Sequence, residues 1–142
     1  MKYVMYSMIA VVLLGVGGLY YLGQKSQGGE AMGLIDGGLA PCSTPPNCVA
    51  SETSTSDDKR VEPLPVEVWL RLPSVIVEMG GIVTKQGDNY ISSEFSSETF
   101  QFVDDVEFRL TKGAVHVRSA SRVGYSDNGV NAARVAALRA KL

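Results

Sequence analysis

The sequence predicts an α+β fold. A four-stranded antiparallel β-meander is packed by an N-terminal and a C-terminal helix, and is preceded by an apolar transmembrane helix and a flexible tether. Three observations predict it. Residues 3–22 are apolar without one charge, residues 82–120 alternate apolar and polar side chains with period two, and residues 66–79 and 130–142 repeat apolar side chains at helical spacing. Two helices on one face of an antiparallel sheet make an α+β sandwich.

The first element is the apolar run. About twenty residues at 1.5 Å rise match a hydrocarbon core of roughly 30 Å. Tyr3, Tyr6, Tyr20 and Tyr21 flank the run as an interfacial aromatic belt does. The competing reading is a cleavable signal segment, with Gly15-Val16-Gly17 as its small-x-small site. Lys2 and the free amino terminus set against Lys25 place the body outside the cytoplasm. The predicted organisation is an anchor over residues 1–23, a tether over 24–61 and a globular domain over 62–142.

The tether is rich in Gly, Ser, Thr and Pro. As a coil it reaches on the order of 35 Å, which lets the body search a partner's surface near the membrane. The apolar stretch 33–39 offers an alternative, docking back on the body. Cys42 and Cys48 lie among Pro41, Pro45 and Pro46, and read first as a disulfide in an oxidising compartment. A metal pair is the weaker reading, because structural zinc takes four ligands and His116 is the sole histidine and far away. Two free thiols remain the third. A net charge of -2 supplies no basic field, which argues against nucleic acid as a partner.

In the body, Val66, Trp69, Leu70 and Leu72 suit a core-facing helix that kinks or restarts at Pro73 and stops at Gly80-Gly81. Runs 82–85 and 90–95, joined at Gly87-Asp88-Asn89, read as a hairpin. A third strand, 100–110, sets Phe102, Asp104, Val106 and Phe108 against Val103, Asp105, Glu107 and Arg109. Lys112-Gly113 turns it into a fourth, 114–120. The last helix, 130–142, carries Val130, Arg134, Val135, Leu138 and Leu142 along one stripe, with Arg139 and Lys141 near its C-terminal dipole.

Polar residues concentrate where the fourth strand meets that helix. Arg118, Ser119, Ser121, Arg122, Tyr125, Ser126, Asp127 and Asn131 fall within fourteen residues. Asp104, Asp105 and Glu107 on the third strand face Arg118 and Arg122 across the predicted ladder. Asp104 lies on the apolar side of its strand, so it is expected to need a cation from the neighbouring strand. One reading is a structural network that fixes the last helix, capped by Ser126, Asp127 or Asn128. The other is a cradle in which Arg118, Ser119, Ser121 and Arg122 hold a carboxylate or phosphate beside a helix N-terminus.

Catalytic signatures are missing from the sequence. It has no Gly-x-Ser-x-Gly elbow, phosphate loop, dinucleotide fingerprint or HExxH helix, and Asp104 and Asp105 point to opposite sheet faces, which defeats a shared-proton dyad. No cofactor is expected. Three stretches, 41–51, 100–108 and 118–131, closely resemble the bacterial and plastid family called domain of unknown function 1499, with likeness over about residues 40–142. The resemblance implies an exported or membrane-tethered protein and no particular activity. Asn128 replaces a bulky apolar residue usual in the family, and Ala132 a frequent basic one; both weaken a ligand role for that corner.

The expected function is a non-enzymatic accessory or scaffold domain, anchored on the periplasmic side of a bacterial inner membrane, that binds a protein partner there. The alternative is an anion or small-ligand module using Arg118 and Arg122.

Overall fold

The computed structural model describes residues 1–142. It begins with α1 (Lys2–Gln27), followed by a small hairpin of β1 (Leu34–Ile35) and β2 (Gly38–Leu39), and then β3 (Cys48–Ala50). A 3-10 segment (Val66–Arg71) runs into α2 (Leu72–Glu78), then β4 (Ile82–Gln86), β5 (Tyr90–Ser96), β6 (Val103–Leu110), β7 (Val115–Ser121) and α3 (Val130–Lys141). Pro73 stands in the first turn of α2, where its missing N–H costs no helical hydrogen bond. The helix therefore restarts there, and residues 75–78 are helical.

The main sheet is antiparallel with strand order β3-β7-β6-β5-β4. It has five strands, not the four expected. The added strand, β3, comes from the stretch read as tether and pairs Cys48 with Ala120, Val49 with Ser119 and Ala50 with Arg118. Three residues are too few for a period-two signal, so only their pairing with β7 makes them a strand.

Alternation assigns the two sheet faces. Val106 and Phe108 of β6, Val115 and Val117 of β7, and Ile91 and Phe95 of β5 meet Leu72, Val75 and Ile76 of α2 and Val135 and Leu138 of α3 in one core. Phe108, Leu72, Ile76, Val106, Val115, Val117 and Leu138 are fully buried. Each such side chain contributes about 1.5–3 kcal/mol of gross burial free energy. Gly81 packs so closely that an added Cβ would sit 2.6 Å from the Phe95 ring and 2.9 Å from Ile76. The α3 stripe is corrected at one position: Val130 is half exposed, and Asn131 is fully buried in its place.

The opposite face carries Tyr90, Glu94, Asp105, Glu107, Arg109, His116, Arg118 and Arg122. The chain between α1 and β3 closes over it. Gly23 and Ser26 of α1 are buried, and the Ser26 hydroxyl accepts the Val103 N–H at 3.0 Å and donates to Gly23 O at 2.6 Å. The Gly33 and Leu39 amides donate to Glu107 and Glu52 at 2.8 and 3.0 Å. The segment 33–39, expected first as flexible tether, instead takes the alternative and docks on the body, and α1 passes into the body through residues that were read as the start of that tether. Its hairpin turns at Asp36-Gly37, both in the left-handed region (φ 52° and 79°), as a two-residue hairpin loop requires.

Candidate functional site

Three tiers of ionic contacts cross the covered sheet face. In the first, the Arg109 guanidinium grips Glu52 with two hydrogen bonds of 2.8 Å, and His116 Nδ1 lies 3.7 Å from the same carboxylate. Burial pushes the Glu52 carboxyl up. The hydrogen bonds from Arg109 and the Leu39 amide, with the charges of His116 and Arg109, outweigh that and hold it below the usual range. In the second tier, Arg118 Nη1 donates to Glu107 at 2.8 Å, and Glu107 also accepts the Tyr90 hydroxyl at 2.7 Å. Glu107 is 0% exposed, and these donors stand in for the water it loses on burial. Burial first, then the hydrogen bond to Glu107, raises the Tyr90 pKa well above its ordinary value.

The third tier joins the sheet to α1. Arg122 donates from Nε to Asp105 at 2.8 Å and from Nη2 to Asp105 at 2.6 Å, contacts Glu94, and donates from Nη1 to Ser26 O at 3.1 Å. The hydrogen bond to Asp105 raises the Arg122 pKa, and the contact with Glu94 adds to it against the cost of burial. One guanidinium thus ties two strands to the end of the apolar helix.

Opposite charges do face each other as predicted, Glu107 with Arg118 across β6 and β7 and Asp105 with Arg122 just past the end of β7. The expected partner of Asp104 is corrected. Its cation comes from α3, where Arg134 donates to Asp104 Oδ2 at 2.7 Å and stacks 4.9 Å above the Phe95 ring. Asp104 lies on the helix-facing side of the sheet, and the neighbouring-strand arginines lie on the other.

Asn131 holds the polar corner. Its Oδ1 accepts from Ser119 Oγ at 2.5 Å and Arg134 at 2.9 Å, while its Nδ2 donates to Asn47 O, Ser121 Oγ and Asp127. Asp127 caps α3 by accepting the Gly129 and Asn131 amides at 3.0 and 2.7 Å. Burial raises its carboxyl, but those amides and the Asn131 side chain outweigh it and hold the carboxyl low. Ser126 Oγ accepts the Asn128 amide, and Tyr125 is 76% exposed, outside the network. Cys42 and Cys48 are joined by a disulfide with Cα atoms 5.6 Å apart. Its loop presents Asn47, whose Nδ2 donates to Gly124 O and whose O accepts from Asn131 and from the Ser121 amide. Lys59 closes the loop from outside, donating to the carbonyls of Ser43, Thr44 and Pro45.

A sequence model of the family described as "Protein of unknown function (DUF1499)" matches residues 38–142. The chain belongs to this family. No curated protein and no solved structure matches it. The DUF1499 region begins at β2, so it includes the disulfide loop, β3 and Glu52 together with the body.

Asp104, Asp105, Glu107, Arg118, Arg122 and Asp127 each lie in a network, but the networks divide between two faces. Arg118 and Arg122 serve carboxylates on one; Ser119, Ser121 and Asn131 bond together on the other. Sequence reasoning missed Glu52, Tyr90, Glu94, Arg109, Arg134 and Ser26. Arg134 had a signal, since a cation on a core-facing helical stripe must meet an acid on the sheet. Glu52 had none, being one polar residue among many in a stretch without periodicity.

Proposed function

We propose that this DUF1499 chain is a non-catalytic accessory domain, anchored in the membrane by α1 on the extracytoplasmic side and binding a protein partner there. The observation that carries it is the junction. An 18-residue window of α1 has a mean hydropathy of 1.8 and none of it is buried, and the helix runs without a break into Gly23 and Ser26, which are built into the body. Such a helix suits a bilayer, and a body fused to its end stays at the surface. The disulfide fits an oxidising compartment.

The polar side chains support binding over chemistry. Ser51 Oγ and Glu52 both approach the same His116 nitrogen, at 3.4 and 3.7 Å, whereas a nucleophilic triad uses the two ring nitrogens separately. The anion reading loses its donors, since an incoming phosphate would have to displace Glu107 from Arg118, or Asp105 and Glu94 from Arg122. For the partner face we favour the consecutive segments that expose Leu70 (89%), Val77 (62%) and Ile82 (66%), beside the unpaired edge of β4.

The test places a photoreactive amino acid at Leu70, Val77 or Ile82 of the full chain in native membranes. The same adduct from at least two positions, lost from Leu70 and Val77 on Ile82→Lys, supports the reading. Release of the chain by carbonate washing, or adducts unaffected by Ile82→Lys, would count against it.

A further inference from the structure

A cleft of about 410 Å³ lies where α1 leaves the body, within the range of about 300–1,000 Å³ usual for small-ligand sites. One wall is Leu19 and Leu22 of α1; the other is Phe102, Val103, Val123 and Val130. The same lining also holds polar side chains, among them Ser121, Ser126, Asp127, Asp104 and Arg134. The cleft is thus amphipathic, with one wall drawn from the apolar helix itself.

We infer that this cleft binds a membrane phospholipid with an amine-bearing, zwitterionic headgroup, one acyl chain lying between Leu19, Leu22 and Val123 and the ammonium meeting Asp104 and Asp127. The inference rests on the anchored reading of α1. Leu19 and Leu22 close the apolar run of residues 3–22, so a chain leaving the bilayer along α1 reaches the cleft without crossing water. Gly15 and Gly18 precede them at helical spacing, and an added Cβ at either meets nothing within 4 Å, so the track toward the bilayer is shallow and open. A water-soluble apolar ligand would have no such path.

Charge selects the headgroup. The lining carries two carboxylates, Asp104 and Asp127, against one cation, Arg134. Asp104 spends Oδ2 on Arg134, while Oδ1 accepts no hydrogen bond and the side chain stays 11% exposed. An ammonium gains from this arrangement, and an anionic headgroup is repelled.

The experiment uses the full chain in nanodiscs and two probes, phosphatidylethanolamine and phosphatidylglycerol, each with a photoactivatable diazirine in one acyl chain. Adducts are mapped by mass spectrometry. The expected result is labelling at Phe102, Val103 or Val123 as well as along residues 3–16, with the ethanolamine probe at least fivefold above the glycerol probe in the cleft. Val123→Trp, or Leu22→Trp from the opposite wall, should lower cleft labelling at least fivefold and leave residues 3–16 labelled as before. Labelling confined to residues 3–16, or indifferent to both fillings, overturns the cleft site while the anchor stands. Equal labelling by the two probes overturns the headgroup assignment. Absence of labelling over residues 3–16 overturns the anchored reading, and this inference with it.

Discussion

Glu107 shows how this fold handles a charge on a buried sheet face. It is fully enclosed and takes hydrogen bonds from Gly33, Tyr90 and Arg118. Removing Arg118 strands the carboxylate, so Arg118→Met is expected to lower stability by about 3–5 kcal/mol in guanidinium melts of the full chain in detergent. Adding Glu107→Gln should restore part of that loss, because the stranded charge goes with it. A loss under about 1 kcal/mol for Arg118→Met would mean that the pair reaches water. Acid has a separate target. The Asp127 carboxyl is held low in the folded protein, so its contribution is present above the unfolded value of about 4 and is lost as pH falls through the folded one. Stability should therefore decline below about pH 4, and Asp127→Asn should flatten that decline in melts from pH 6 to pH 2.5. Alternation made the pairing of Glu107 and Asp105 with Arg118 and Arg122 readable in the sequence. The Asp104 partner was not, because strand spacing cannot reveal which α3 side chain leans over the sheet.

Among the elements, α1 packs tightly against the turn that precedes β6. A Cβ on Gly23 would fall 1.8 Å from Phe100 O, so any side chain there must push the helix away. Gly23→Leu should thus undock the helix end, seen as faster tryptic cleavage after Lys25, while Gly17→Leu, at an open position, should leave cleavage unchanged. Equal rates for the two variants would show that the helix end is not packed. The disulfide closes only a short loop, and its removal by Cys42→Ala with Cys48→Ala is expected to cost roughly 2 kcal/mol. Part of that cost should appear as faster amide exchange at Ser121, whose N–H donates to Asn47 O within the loop. Period-two runs and a helical stripe made the meander and α3 legible. The edge strand β3 was not, because its three residues owe their conformation to β7 and not to local preference. The β1–β2 hairpin had a signal in Asp36-Gly37, hidden inside a glycine-rich stretch that otherwise reads as coil.

At the scale of the whole molecule, the sheet is buried on both faces by unlike means. Helices cover one side with an apolar core, and the segment after α1 covers the other through ions and backbone amides. Composition alone suggests a tether there, because glycine and serine are read as flexible when their partners are distant in sequence. Those partners lie 74 residues away for Gly33 and 77 for Ser26. The central claim is that this segment is a fixed lid joining α1 to the body. Amide hydrogen exchange on the full chain in nanodiscs tests it most directly. The Gly33, Leu39 and Val103 amides should be protected to a degree approaching the central strands β6 and β7. Exchange of Gly33 and Leu39 at the rate of an unstructured peptide, with β6 and β7 still protected, would contradict it.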